Sequence, residues 1–341
     1  MKTGTFIRVI LILAVIMTLA TWGADNTQAA SLTKITVAVP HPSAINWIPL
    51  HVAIGQGYFK DEGLEVNVEA VDGSSQVLQA MSAGRAQIGA PGPGPVLSAR
   101  ARGVDVVFIY NLYPKALFGL VVKKASSYNM AGQLKGKVIG VGTADGSEVT
   151  FVRPILAEAG MVEGKDYEFL PVGDGGLAAA AFERGDIEAY AAAVPDAAIM
   201  ESRGLRLREI TPEKFLSYFG NGFAALNSYM KENPKVIEGF GRAIVRAANF
   251  CKVPANREKV LADAKKGNPQ EGEDTALANA LLDKVLERQT PLDLSPGWGY
   301  QPTEGWKLWH EGQIESGALK GPLPNLEAAY TNDFIKIWNG K

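Results

Sequence analysis

The stretch from residue 34 to residue 70 reads KITVAVPHPSAINWIPLHVAIGQGYFKDEGLEVNVEA. Lys34–Val39 alternates and is rich in β-branched residues, so it reads as a strand that stops at Pro40 and Pro42. A loop from His41 to Trp47 follows. Pro49 suits a first helical turn, Leu50, Ala53 and Ile54 give the apolar spacing of a helix face, and Gly57 is placed to end it. Leu64–Ala70 alternates again as a strand. This strand, helix and strand open an alternation that implies α/β architecture with mostly parallel sheets.

The same alternation continues downstream. Ser74 or Ser75 can cap a helix that carries Val77, Leu78 and Met81 and ends at Gly84. Ile88–Ala90 reads as a short buried strand, Pro91–Pro95 as a turn, Val96–Arg102 as a helix and Val104–Tyr110 as a strand. Further strands are expected at 118–122, 137–141, 167–171, 187–191, 205–210 and 222–226, with helices from Ser147, over 177–184 and from Pro195. Beyond that the chain reads as helical, most clearly over 236–250 and 276–286. Trp306, Trp309 and Trp338 read as core packing, and the charged residues of 256–274 as a solvated surface. Met81–Ala90 and Phe182–Tyr190 share a helix, glycine, strand and proline order, which hints at two domains of related design.

The 341 residues fit two compact domains at roughly 100 to 200 residues each. Lys plus Arg number 34 against 36 Asp plus Glu, so the chain has no basic field for nucleic acid. One cysteine, Cys251, excludes an intrachain disulfide, and three histidines leave little material for a metal site. Lys2 and Arg8 precede the apolar run Val9–Ala20, which is short for a membrane span, and small residues at 27 and 29 resemble a cleavage pattern. Residues 1–29 are therefore expected to be a cleaved signal peptide, with the mature protein exported to the periplasm.

No catalytic motif survives inspection. Ser82 in AMSAG sits at a helix end without the strand-to-turn setting of a nucleophile elbow. Gly140–Gly146 follows a strand and opens a helix, but Asp145 stands where a dinucleotide fingerprint has its third glycine. Six strand-to-helix turns rich in small and polar residues are the distinctive feature: 41–47, 92–95, 110–115, 142–148, 173–176 and 194–196. In α/β sheets such turns gather at the carboxyl ends of strands, where helix N-termini hold an anionic or acceptor-rich ligand without lysine or arginine.

These residues resemble the substrate-binding proteins of ABC importers, in the nitrate/sulfonate/taurine branch that includes pyrimidine-precursor binders. PLHVAIGQGYFKDEGLEV at 49–66 is similar to that branch's signature, as are GRAQIG at 84–89, LKGKVIGV at 134–141 and GDIEA at 185–189. Gln87 and Glu188 stand where the branch usually has Asp. The resemblance implies an α/β, type II periplasmic-binding fold: two domains around a ligand cleft, joined by two crossover strands. Domain I would comprise 32–117 and 224–341, domain II 118–223, and the crossovers would be 118–122 and 222–226.

By position, the resemblance places ligand contacts on Ser43, Asn46 and Trp47, on Gly92, Pro93 and Gly94, on Tyr110 and Asn111, on Thr143, Gly146, Ser147 and Glu148, and on Asp174, Pro195, Asp196 and Asn221. It implies a monomer without cofactor, metal or chemistry of its own. Such a protein captures a small organic ligand (sulfonate, carboxylate or heterocycle) and delivers it to a membrane permease and its ATPase. Glu148, Asp174 and Asp196 would instead repel anions or accept hydrogen bonds from an N–H-bearing ring. Trp47 and Tyr110 favour a ligand with an aromatic or apolar body over nitrate. The alternatives are a same-fold enzyme of pyrimidine-precursor metabolism, whose family needs a histidine and a cysteine-rich element, and an exported ligand sensor.

Overall fold

The computed structural model describes residues 31–340, so the expected signal peptide lies outside the described residues. Among the described residues ten strands form two five-stranded sheets. The first sheet holds β1 (Thr33–Val39), β2 (Leu64–Ala70), β3 (Ile88–Gly89), β4 (Val106–Tyr110) and β10 (Phe223–Leu226), in the order β2-β1-β3-β10-β4. The second holds β5 (Phe118–Lys123), β6 (Lys137–Val141), β7 (Tyr167–Pro171), β8 (Ala189–Ala193) and β9 (Leu207–Glu209), in the order β7-β6-β8-β5-β9. β1 runs parallel to β2 and β3, and β6 runs parallel to β7 and β8.

The two sheets repeat one plan. Each gains a single antiparallel strand from the chain's passage between them: β10 lies between β3 and β4, and β5 between β8 and β9. The expected crossovers 118–122 and 222–226 are thus full members of sheets, and the connecting backbone is 111–117 and 210–222. The similarity between 81–90 and 182–190 falls on equivalent places, since each segment carries a helix end into β3 or β8.

Local chemistry explains the shifted boundaries. The helix after β2 spans Gly73–Ser82 with Asp72 at its cap, so Ser74 is the second helical residue and not the cap. The segment 91–95 is only partly a turn. Pro93 starts a helix that runs to Ala101, because proline fits a first turn whose N–H has no intrahelical partner. The strand expected at 187–191 begins instead at Ala189, after Gly185 caps the preceding helix with φ 76°. The helix from Ser147 runs to Glu158 with Pro154 inside it.

The C-terminal third wraps the first sheet. Helix Pro234–Cys251 buries Ile237, Phe240, Ile244 and Ala248 and packs on helix Ile48–Gly55. The three tryptophans are buried, and each indole N–H is satisfied: Trp306 by Gln301 Oε1, Trp309 by the Phe219 carbonyl and Trp338 by the Ile237 carbonyl. Helix Thr303–Glu315 touches helices Pro93–Ala101 and Ser147–Glu158 together, and Gln313 donates to the Thr150 carbonyl at 2.9 Å. It therefore bears on both sheets' layers.

The expectation of a solvated 256–274 is corrected at two positions. Asp263 is 2% exposed, accepts from Gln56 Nε2 at 2.5 Å and pairs with Lys266 at 2.8 Å. Glu271 accepts from the Ser43 hydroxyl and the Ile45 N–H, so it ties this segment to the loop after β1.

Gly241 meets the Trp338 indole so closely that a Cβ there would lie 2.0 Å from Cε2. We expect G241A to lower the unfolding free energy by about 1–3 kcal/mol, the usual cost of overpacking a rigid core contact. Urea denaturation checks this; an unchanged midpoint would contradict the packing described.

Candidate functional site

A cavity of about 420 Å³ lies where the carboxyl ends of strands from both sheets meet. From the first sheet come Pro40–Ser43, Asn46 and Trp47, which follow β1, and Gly73 and Ser74, which follow β2. The second sheet contributes Thr143, Gly146, Ser147 and Glu148 after β6, Asp174–Gly176 after β7 and Pro195 and Asp196 after β8. The connecting segments add Tyr113 and Asn221, and the first residue of β5, Phe118, joins them.

The two halves touch within this lining. Ser74 Oγ and Ser147 Oγ are 2.7 Å apart, and the Gly92 N–H donates to Ser74 Oγ at 3.2 Å. Gly92 has to be glycine here, since a Cβ would lie 2.1 Å from Ser147 Oγ and 2.6 Å from its Cβ. Gly94 faces Thr150 in the same way, at 2.5 Å from Oγ1.

Ser43, Asn46, Trp47, Thr143, Gly146, Ser147, Glu148, Asp174, Pro195, Asp196 and Asn221 all line the cavity. Five expected residues do not. Gly92, Pro93 and Gly94 stand behind the serine pair and set how closely the helices approach. Tyr110 ends β4 pointing into the core against Phe223 and Trp338, at ring separations of 6.0 and 5.7 Å. Asn111 pairs through its backbone with Gly299 and is buried. The aromatic wall comes instead from Tyr113, whose hydroxyl donates to the Asn46 carbonyl at 2.7 Å, and from Tyr190, which donates to the Gly173 carbonyl at 3.1 Å.

Sequence reading also misses Asn268, Gln270, Glu271, Asp274, Leu277 and Leu281, which complete the lining from the C-terminal third. Helix Thr275–Gln289 packs on helix Val194–Ser202, which follows β8, and so closes that side. No local motif marks these residues, because their role comes from a fold-back of the chain's last third onto its beginning.

Electrostatically the lining is acidic. Glu148 is in the first turn of its helix and accepts the Thr143 N–H at 3.0 Å. Burial pushes its pKa up to about 7, the N–H groups of Thr143 and Glu148 oppose this, and Asp174 and Asp145 add to it. Asp196, in the first turn of helix Val194–Ser202, is raised well above the ordinary carboxyl range by burial first, then by Asp174 and Glu148. Burial lowers His41 despite the nearby Asp174 and keeps the ring neutral. At the second sheet the helix N-termini expected to hold an anionic or acceptor-rich ligand carry acids of their own. Glu148 and Asp196 occupy two of those termini, and Asp174 lies just ahead of helix Gly176–Arg184.

The family comparison joins this geometry to known proteins. The profile described as NMT1/THI5 like matches residues 44–255, more than half of the chain. The chain belongs to the NMT1/THI5-like family. The riboflavin-binding protein RibY of Chloroflexus aurantiacus is 25% identical over 330 residues, covering 92% of this chain and 88% of that one. A 4-amino-5-hydroxymethyl-2-methylpyrimidine phosphate synthase of Saccharomyces cerevisiae is 24% identical over 226 residues, 60% of this chain and 65% of that one. Among solved structures, the alkanesulfonate-binding protein SsuA from Xanthomonas axonopodis bound to MOPS superimposes with a TM-score of 0.65 at 18% identity, covering 88% of this chain and 98% of that one. That likeness shows the shared periplasmic-binding fold.

A carboxyl that holds its proton more tightly in the folded chain stabilises the fold at low pH. That contribution is lost as pH rises from about 4.5 to about 7 for Glu148. E148Q removes the loss, so the stability of the variant relative to wild type should rise by about 2 kcal/mol between about pH 5 and about pH 8. Thermal melts across this range check it; a constant difference would contradict the buried state of Glu148.

Proposed function

We propose that this protein is the periplasmic solute-binding component of an ABC import system. It would capture a small organic ligand in the cavity between a lobe of residues 32–117 with 224–341 and a lobe of 118–223. The observation that carries this reading is the cavity itself, lined from both sheets at their strand ends, where open α/β sheets bind ligands. Its volume suits a single-ring or two-ring molecule. Trp47, Tyr113 and Tyr190 supply flat apolar surface, and Asn46, Ser147 and Asn221 fix orientation.

Capture works through differential contact. Because residues from both lobes line the cavity, a ligand gains its full set of contacts only when the lobes are together, and binding shifts the population toward that arrangement. The ligand-loaded monomer would then dock on a membrane permease and its ATPase. RibY and SsuA are both named as binding proteins, which supports a carrier role. Among the described residues no helix is long and apolar enough to cross a membrane.

The synthase relatives favour a second reading, an enzyme on the same fold. Against it, Cys251 is the chain's one cysteine and is buried on helix Pro234–Cys251, with burial pushing its thiol up to about 12. A thiol so protonated is a poor nucleophile or metal ligand.

Calorimetric titration with riboflavin, aminopyrimidines and alkanesulfonates, paired with small-angle scattering, tests the carrier reading. Saturable binding of one class with a fall in the radius of gyration is expected. Absence of both for every compound would contradict it, and turnover of any compound would favour the enzyme.

A further inference from the structure

The second sheet's side of the cavity is built to accept hydrogen bonds rather than to donate them. Helix N-termini ordinarily offer N–H groups to an anion. Here Glu148 takes the Thr143 N–H, and the backbone N–H groups of Ala193 and Gly175 favour the charged form of Asp196. Asp174 and Glu148 approach the same backbone point from two loops: a Cβ at Gly142 would lie 2.1 Å from Asp174 Oδ1 and 3.2 Å from Glu148 Oε1. Three carboxyl groups from the turns after β6, β7 and β8 thus gather on one wall.

A second observation points the same way, independent of the acids. Asn46 and Asn221 line the cavity at 8% and 3% exposure, and the side-chain carbonyl oxygen of each has no hydrogen-bond partner. Their amide nitrogens are engaged, Asn46 with His41 Nε2 at 3.4 Å and Asn221 with the Ala90 carbonyl at 3.1 Å. A buried acceptor left unpaired is destabilising, so both oxygens favour a nearby donor. Among the described residues of the lining, Arg203 is the one Lys or Arg, an exposed side chain just past helix Val194–Ser202 whose guanidinium lies against Gly176.

We infer that the ligand presents a cationic, N–H-donating nitrogen group of amidinium type to Glu148, Asp174 and Asp196, and that the site discriminates against sulfonates and carboxylates. This rests on the cavity being the ligand site. A planar amidinium offers paired N–H donors that match a carboxylate's two oxygens. An anion in the same place would meet like charge with few free donors to offset it. The groups facing the Glu148 carboxyl are Asp145 and Thr143 on its own loop, Asp174 after β7, Asp196 after β8 and Tyr190 on β8, with neutral His41 across the cavity beside Asp174. A cation arriving among them favours ionisation of Glu148, so binding releases a proton near neutral pH.

Benzamidine, benzamide, benzoate and benzenesulfonate form a test set of one ring and differing charge. Titration calorimetry of the full mature chain at about pH 8 should give benzamidine at least tenfold tighter than benzoate or benzenesulfonate, with benzamide between. Benzamidine affinity should fall several-fold on going to about pH 6, and both E148Q and D196N should lose most of the preference while their melts remain cooperative. Benzoate or benzenesulfonate binding tighter than benzamidine would overturn the inference and leave the carrier reading intact. If none of the four binds at about 10 mM, the inference falls, while the carrier reading stands or falls on its own titration with riboflavin, aminopyrimidines and alkanesulfonates.

Discussion

The hydrogen bond between Ser74 and Ser147 fixes how near the two sheets' helices come, and the cavity's shape depends on it. Each serine sits in the first turn of a helix that leaves a sheet, one after β2 and the other after β6. For their oxygens to meet at 2.7 Å, the backbone at Gly92 must come within a side chain's radius of Ser147, which a Cβ would prevent. The next contact along, Gly94 against Thr150, repeats the requirement further up the helix. Helix Thr303–Glu315 then seats on both partners and holds the Thr150 carbonyl through Gln313. The small residues of 92–94 therefore serve the approach of the two sheets' helices, and the cavity opens on the other side of the serine pair.

Charge is arranged by the same geometry. Bringing helix N-termini together concentrates partial positive charge, and the chain answers it with Glu148, Asp174 and Asp196 rather than leaving it for an anion. Burial raises Glu148 and Asp196 first; the charge of Asp174 adds to both, and that of Glu148 adds to Asp196. A positive group entering the cavity relieves that repulsion. The near balance of 34 basic and 36 acidic residues over the whole chain conceals this local excess.

Much of the fold can be read from the sequence because its signals are local. Alternation locates β6 and β7 to the residue, and glycines at 57, 84 and 185 mark helix ends through their positive φ. The turns after β1, β6, β7 and β8 are legible because strand ends in α/β sheets converge regardless of side-chain detail. Tyr110 is misplaced by sequence reading for a reason of phase: it is the last residue of a fully buried strand, so its ring enters the core, and Tyr113, beyond the strand, takes the wall. The acids 271 and 274 and the leucines 277 and 281 reach the cavity through tertiary packing alone. Nothing in the local composition of 256–274 distinguishes a ligand wall from a solvated surface.

The most direct test of the central claim is native mass spectrometry of the protein taken from its own host, followed by denaturation to release and identify the bound molecule. A ligand with a donor-rich nitrogen group and no anionic group at that end is the predicted result. A sulfonate, nitrate or simple carboxylate held stoichiometrically would contradict it.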